Sequence, residues 1–183
     1  MKILFINACI RENSRTLALA KHVMKDMLGE ITELNLNFEN IEPLNAELLE
    51  KREALINDGK FDDPMFRYAN QFANADEIFI AAPFWDLSFP AKLKIYLEQL
   101  TVSGLTFKYT DGCPSGLCKA KKLTYITTSG GSIFADFGYS YVKALAQNFY
   151  GIEKTQSVRA MNLDVDMICA EDLLAKAEIS IIE

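Results

Sequence analysis

Lys2–Ala8 reads K-I-L-F-I-N-A. It is followed at once by the polar loop C-I-R-E-N-S-R over Cys9–Arg15, and then by apolar residues at Leu17, Ala20, Val23, Met24, Met27 and Leu28. A short, nearly continuous apolar run marks a strand covered on both faces. The spacings of three and four after the loop mark the apolar stripe of a helix, which Gly29 closes.

Working outward, Glu30–Leu36 reads as a second strand. Asn45 can cap a helix running to about Ile56, and after an exposed turn over Asn57–Asp63 the pair Asp63-Pro64 starts another. That helix would bury Met65, Phe66, Ala69, Phe72 and Ala73. Glu77–Ala82 is a third strand, ended by Pro83. Pro90 opens a helix with Leu93, Leu97 and Leu100 on one face, closed by Gly104. Leu105–Lys121 is a long excursion with a short β-prone piece at Leu105–Thr110. Lys122–Thr128 is the fourth strand candidate and Thr155–Met161 the fifth. A helix over Tyr139–Tyr150, with Val142, Leu145, Ala146 and Phe149 inward, separates them, and a last helix is expected over Ala170–Ile181. This alternation predicts an α/β fold, an open parallel sheet with helices on both faces, in a single domain over residues 1–183.

The chain has 183 residues, half of them apolar, and a formal net charge of -6. It carries no dense Lys/Arg stripe, so neither nucleic acid nor an anionic membrane is expected as a partner. Without a membrane-length apolar run or a signal-type N-terminus it is expected to be soluble and cytoplasmic. The four cysteines, Cys9, Cys113, Cys118 and Cys169, include no C-x-x-C pair, and no metal site is expected. They read as reduced thiols, with Cys113 and Cys118 able to approach within one loop. The sole histidine, His22, falls on the first helix, away from any loop, so a His-dependent nucleophile has little support.

In such sheets ligands bind beyond the carboxyl ends of the strands. Three loops leave those ends. Cys9–Thr16 (C-I-R-E-N-S-R-T) enters a helix, and its amides, Ser14, Thr16, Arg11 and Arg15 suit a single phosphate; it also reads as an ordinary polar cap with solvated arginines. Neither G-x-G-x-x-G nor a P-loop is present. The second loop, within A-A-P-F-W-D-L-S-F-P over Ala81–Pro90, offers Phe84 and Trp85 to stack on a planar ring and Asp86 to accept from a ring N–H, unless it merely covers its own helix or another subunit. The third, Ser129–Phe134 with Ser129, Gly130 and Gly131, lacks bulk where a ligand can approach main chain, and also reads as a plain turn.

Taken together, M-K-I-L-F-I-N-A-C-I-R-E-N-S-R-T, I-F-I-A-A-P-F-W-D-L-S-F-P-A-K-L-K, G-L-T-F-K-Y-T and T-T-S-G-G resemble the flavodoxin-like NAD(P)H:quinone reductase and FMN-dependent NADH-azoreductase family, from residue 1 to about Leu163. The resemblance implies a flavodoxin-like five-stranded parallel sheet of order 2-1-3-4-5. It implies bound FMN with NADH or NADPH as co-substrate, and ping-pong hydride chemistry through flavin N5 to a quinone or a similar azo or nitro acceptor. No protein group is expected to be catalytic, since the flavin carries the chemistry. Arg11, Ser14, Arg15 and Thr16 map to the FMN phosphate, Pro83, Phe84, Trp85, Asp86 and Leu87 to the ring, and Ser129, Gly130 and Gly131 to its pyrimidine side. A homodimer is implied, with Trp85 and Tyr109 at the substrate and interface. Well-known azoreductases carry Asn where Asp86 stands and a hydroxyl residue where Ala8 and Cys9 stand, and an acidic group beside the ring would lower its reduction potential. A flavodoxin-like FMN electron carrier is the alternative.

Overall fold

The computed structural model describes residues 1–164, 172 and 177–181. In chain order the elements are β1 Lys2–Asn7, α1 Arg15–Met24, β2 Glu30–Asn35, α2 Ala46–Asn57, α3 Arg67–Asn74, β3 Glu77–Ala81, α4 Ala91–Leu100, β4 Phe107–Thr110, β5 Cys113–Gly116, β6 Lys122–Thr128, α5 Tyr139–Leu145, β7 Lys154–Ala160 and β8 Glu178–Ile181. The main sheet runs β2-β1-β3-β6-β7-β8, and its first five strands are parallel.

Strand periodicity explains the two cores. In β1, Leu4 and Ile6 point to one face and Ile3 and Phe5 to the other; in β3, Ile78 and Ile80 oppose Phe79 and Ala81. Leu19, Ala20 and Met24 of α1 cover the second face. Phe72 of α3, Leu93, Tyr96, Leu97 and Leu100 of α4, and Tyr139 and Val142 of α5 cover the first. The edge strand β2 buries only Leu34 and leaves Glu30 and Glu33 exposed, charges that discourage edge-to-edge pairing.

The caps expected at Asn45 and Asp63 form, and Ser14 caps a third helix start. Ser14 Oγ accepts from Leu17 N at 3.2 Å, Asn45 Oδ1 from Leu48 N at 2.9 Å, and Asp63 Oδ1 from Met65 N at 2.9 Å. The last cap opens a 3₁₀ turn at Pro64–Phe66 before α3 begins. Helix α2 fully buries no side chain; Leu55 and Ile56, half-buried, pack against a small third cluster of Phe66, Ala69 and Val102. Arg52 donates to the carbonyls of Glu98 and Thr101, satisfying the orphan C-terminus of α4.

Several expectations need correction or refinement. The excursion over Leu105–Lys121 is an antiparallel hairpin, β4–β5, turned by Asp111-Gly112 with φ of 52° and 79°. Asp-Gly is the strongest short hairpin signal, and its two left-handed residues match strand twist. With that hairpin counted, the expected order 2-1-3-4-5 becomes 2-1-3-6-7. The end of the expected Ala170–Ile181 helix is instead a strand, since Glu178–Ile181 pairs antiparallel with β7; most of the rest of that helix, like Cys169, lies outside the described residues. Helix α1 stops at Met24 rather than at Gly29, and α4 at Leu100 rather than at Gly104. The helix expected over Tyr139–Tyr150 widens to a π turn over Ala146–Tyr150 and ends at Gly151, φ 74°.

The hairpin docks where that π turn ends. Cys118 N donates to Tyr150 O, Phe107 packs on Phe149 with centroids 5.1 Å apart, and a Cβ on Gly116 would fall 2.1 Å from Gly151 N. Backbone is the obstacle, so no rotamer change relieves it. Gly116→Ala is therefore expected to destabilise the protein by about 1–3 kcal/mol in urea unfolding, as overpacking does; an unchanged midpoint would contradict this docking.

Candidate functional site

The carboxyl ends of β1, β3, β6 and β7 open onto one cleft of about 240 Å³, lined among others by Arg11, Ser14, Arg15, Thr16, Pro83 and Trp85. Phe84, Ser129 and Gly130 also line it, so nine of the residues read from sequence meet at one place. Asp86, Leu87, Gly131 and Tyr109 do not line it. Tyr109 stands 63% exposed on β4, with its ring 5.4 Å from that of Phe107.

The anion-suited wall is built from the end of β1. Asn7, fully buried, accepts from Cys9 N through Oδ1 at 3.0 Å and donates to Glu33 Oε1 at 2.8 Å. The loop so pinned delivers Ser14 to the N-cap of α1, whose first-turn amides carry the positive end of the helix dipole and no acidic side chain. Thr16 Oγ1 shares a 2.6 Å hydrogen bond with Thr128 Oγ1, which ties α1 to the end of β6. Among the described residues Arg11 has no ion-pair partner, whereas Arg15 bonds Leu163 O at 2.9 Å and Asp164 Oδ1 at 2.6 Å.

Asp164 belongs to a wall absent from the sequence reading. The residues after β7 zip onto the turn after β6: Ser129 N to Ala160 O, Leu163 N to Ser129 O, Asp164 N to Gly130 O and Asn162 N to Gly131 O. A Cβ on Gly130 would sit 2.1 Å from Asp164 Oδ2, so the smallness of the turn serves this zipper. The signal was available, since β7 also has a carboxyl end in this sheet. Ile10, Asn13 and Thr128 were likewise missed, each beside a residue that was read.

The aromatic wall is shaped by a strained turn. Trp85 and Ser88 exchange two backbone hydrogen bonds, 3.0 and 2.7 Å, across Asp86 and Leu87, which have φ of 49° and 67°. Positive φ at both central residues defines a type I′ turn, made for Asn-Gly or Asp-Gly. Leu in the second place costs about 1–2 kcal/mol. Asp86 thus tolerates the left-handed conformation at an exposed tip, outside the cleft, where solvent screens its charge. Trp85 is 38% exposed and presents its ring at the cleft's rim.

The family model for the flavodoxin-like fold matches residues 1–181. A protein named FMN-dependent NADH:quinone oxidoreductase from Coprothermobacter proteolyticus is 35% identical over 177 residues, covering 90% of this chain and 88% of that protein. One of the same name from Clostridium perfringens (strain ATCC 13124) is 36% identical over 181 residues, covering 93% and 91%. Among solved structures, the FMN-dependent NADH-azoreductase from Bacillus anthracis str. Ames Ancestor in complex with FMN superposes with a TM-score of 0.79 at 27% identity, covering 96% of this chain and 93% of that one.

Neither cysteine of the described core is poised to react. Burial pushes the Cys9 thiol up to about 11 and Cys118 up to about 12, while Cys113 is exposed at the hairpin turn. No disulfide joins Cys113 to Cys118, and Cys118 Sγ instead faces Thr106 O at 3.6 Å. At about pH 8 the thiolate fraction of a raised thiol is small, so iodoacetamide is expected to modify Cys113 well ahead of Cys9 and Cys118. Peptide mapping checks this, and modification of Cys9 at the rate of Cys113 would contradict it.

Proposed function

The chain belongs to the family of the flavodoxin-like fold that its residues 1–181 match, and from that membership we propose an FMN-dependent NADH oxidoreductase that passes two electrons to a quinone or a similar small aromatic acceptor, azo and nitro compounds included. One observation carries this reading above all. A helix start rich in donors at Ser14–Thr16, an aromatic platform at Pro83–Trp85 and a small-residue turn at Ser129-Gly130, far apart in the sequence, line a single cleft.

The donor set fits FMN. Ser14, Thr16, the first amides of α1 and the Arg11 guanidinium would hold one phosphate, and the missing glycine turn argues against a dinucleotide held by its pyrophosphate. Pro83, Phe84 and Trp85 on one side, with Ser129 and Gly130 on another, would hold the ring. Arg15, shared with Leu163 O and Asp164, keeps the loop after β7 closed against α1 and adds positive charge at the phosphate end. Bound FMN would supply the two-electron hydride chemistry between NADH and the acceptor. The protein's residues then bind, orient and exclude water; among the described residues no histidine or cysteine lines the cleft.

The finer assignments are part of the same proposal: one domain, a cytoplasmic location, and a homodimer. The cleft, about 240 Å³, is smaller than the ~300–1,000 Å³ usual for ligands of this size, so a second copy as roof completes it. Phe134, Phe137 and Tyr109, which are 83%, 64% and 63% exposed, are the large apolar side chains such a copy would cover. Among the described residues no helix is long and apolar enough to cross a membrane.

Anaerobic stopped-flow tests the central assignment. Excess NADH is expected to bleach the absorbance of the bound flavin, and an added quinone to restore it in a separate phase. A flavin that NADH leaves oxidised would contradict the proposal.

A further inference from the structure

Resting on the FMN reading above, we propose that the Asp136–Arg159 ion pair is a strut for the Trp85–Ser88 turn, and that Arg159 is a positioning residue for the ring-binding loop. Neither residue lines the cleft. Their side chains are only 12% and 19% exposed, and Asp136 Oδ2, which takes no aligned hydrogen bond, faces Arg159 Nη2 at 2.8 Å. Arg159 is held in turn by Ser157, whose Oγ accepts from Nε at 2.8 Å, and by the Tyr139 ring, 5.6 Å from its guanidinium carbon.

Asp136 fixes the chain on both sides of Phe137. Its Oδ1 accepts from Gly138 N at 2.9 Å and from Tyr139 N at 2.8 Å, capping α5. Phe137 N, clamped between these contacts, donates to Leu87 O at 2.9 Å. A continuous path thus runs from β7 through Arg159, Asp136 and Phe137 to Leu87, the residue that strains the turn.

A second two-residue turn shows why this one needs support. Asp111-Gly112 has the same signs of φ, but glycine adopts them freely, and nothing approaches within 4 Å of where its Cβ would be. Asp86-Leu87 lacks that glycine and has the Phe137 contact instead. A left-handed Leu persists only where its surroundings over-determine it. The ion pair supplies that constraint, and through it the angle at which Trp85 meets the ring.

Trp85 is the only tryptophan in the chain, so its fluorescence reports on the turn alone. Acrylamide quenching of the full-length protein, with and without FMN, would be compared for wild type, Arg159→Met, Arg159→Lys and Asp136→Asn. Arg159→Met is expected to raise the flavin-free quenching constant about twofold and to weaken FMN binding about three- to tenfold, with Arg159→Lys, which keeps the charge but not the fork or the stacking, restoring both only in part. In a Leu87→Gly background, where the turn needs no strut, Arg159→Met is expected to change quenching little. A folded Arg159→Met protein with the wild-type quenching constant would overturn the proposal; if that variant does not fold, the isosteric Asp136→Asn carries the same test. Quenching that rises while no variant, wild type included, binds FMN would uphold the strut and overturn the FMN reading.

Discussion

The parallel strands at the centre of the sheet are buried on both faces and all leave over the same edge, and that constraint organises this protein. Ile3 and Phe5 are covered by α1 while Leu4 and Ile6 are covered from the opposite side, so β1 has no free face and its chain can leave only at Asn7. The same holds for β3, β6 and β7. Their exits meet, and the backbone polar groups freed there are satisfied by one another: Ala8 N by Ala81 O, Phe84 N by Thr128 O, Ser129 N by Ala160 O. The cleft is what these cross-links leave between the loops.

Each wall of the cleft takes its character from how its loop solves that problem. The loop after β1 is polar because it must end in a helix cap, and a cap with no acidic residue in its first turn is also an anion site. The loop after β3 reverses in two residues, which presents Trp85 at the rim at the expense of a left-handed Leu87. The turn after β6 is small because Asp164 lies across Gly130. The ion pair between Arg15 and Asp164 is about half exposed and contributes little to stability; its weight is in closing the last loop on the first helix.

Much of this was legible in the sequence because the signals are local. Continuous apolar runs gave β1, β3 and β6, and Ser14, Asn45 and Asp63 cap as their types require. The site residues at the helix start and in the small turn were legible once the strands were placed. What escaped was set by distant contacts. The widening of the helix at Ala146–Tyr150 answers to the hairpin at Gly116. The zipper that brings Asp164 into the cleft is a pairing of two loops, with no local pattern of its own. Asp86 stands outside the cleft at a left-handed position, a conformation with no plain signal in the sequence. The Asp111-Gly112 turn was the one local signal left unread.

The central claim is that one cleft holds a phosphate at the start of α1 and a planar ring against Trp85. Titrating the flavin-free protein with FMN and with riboflavin, and following Trp85 fluorescence, measures both halves at once. The account predicts that both ligands quench Trp85, and that riboflavin, lacking the phosphate, binds at least about tenfold more weakly because it forgoes charge-assisted hydrogen bonds. Equal affinities, or FMN binding that leaves Trp85 unquenched, would contradict it.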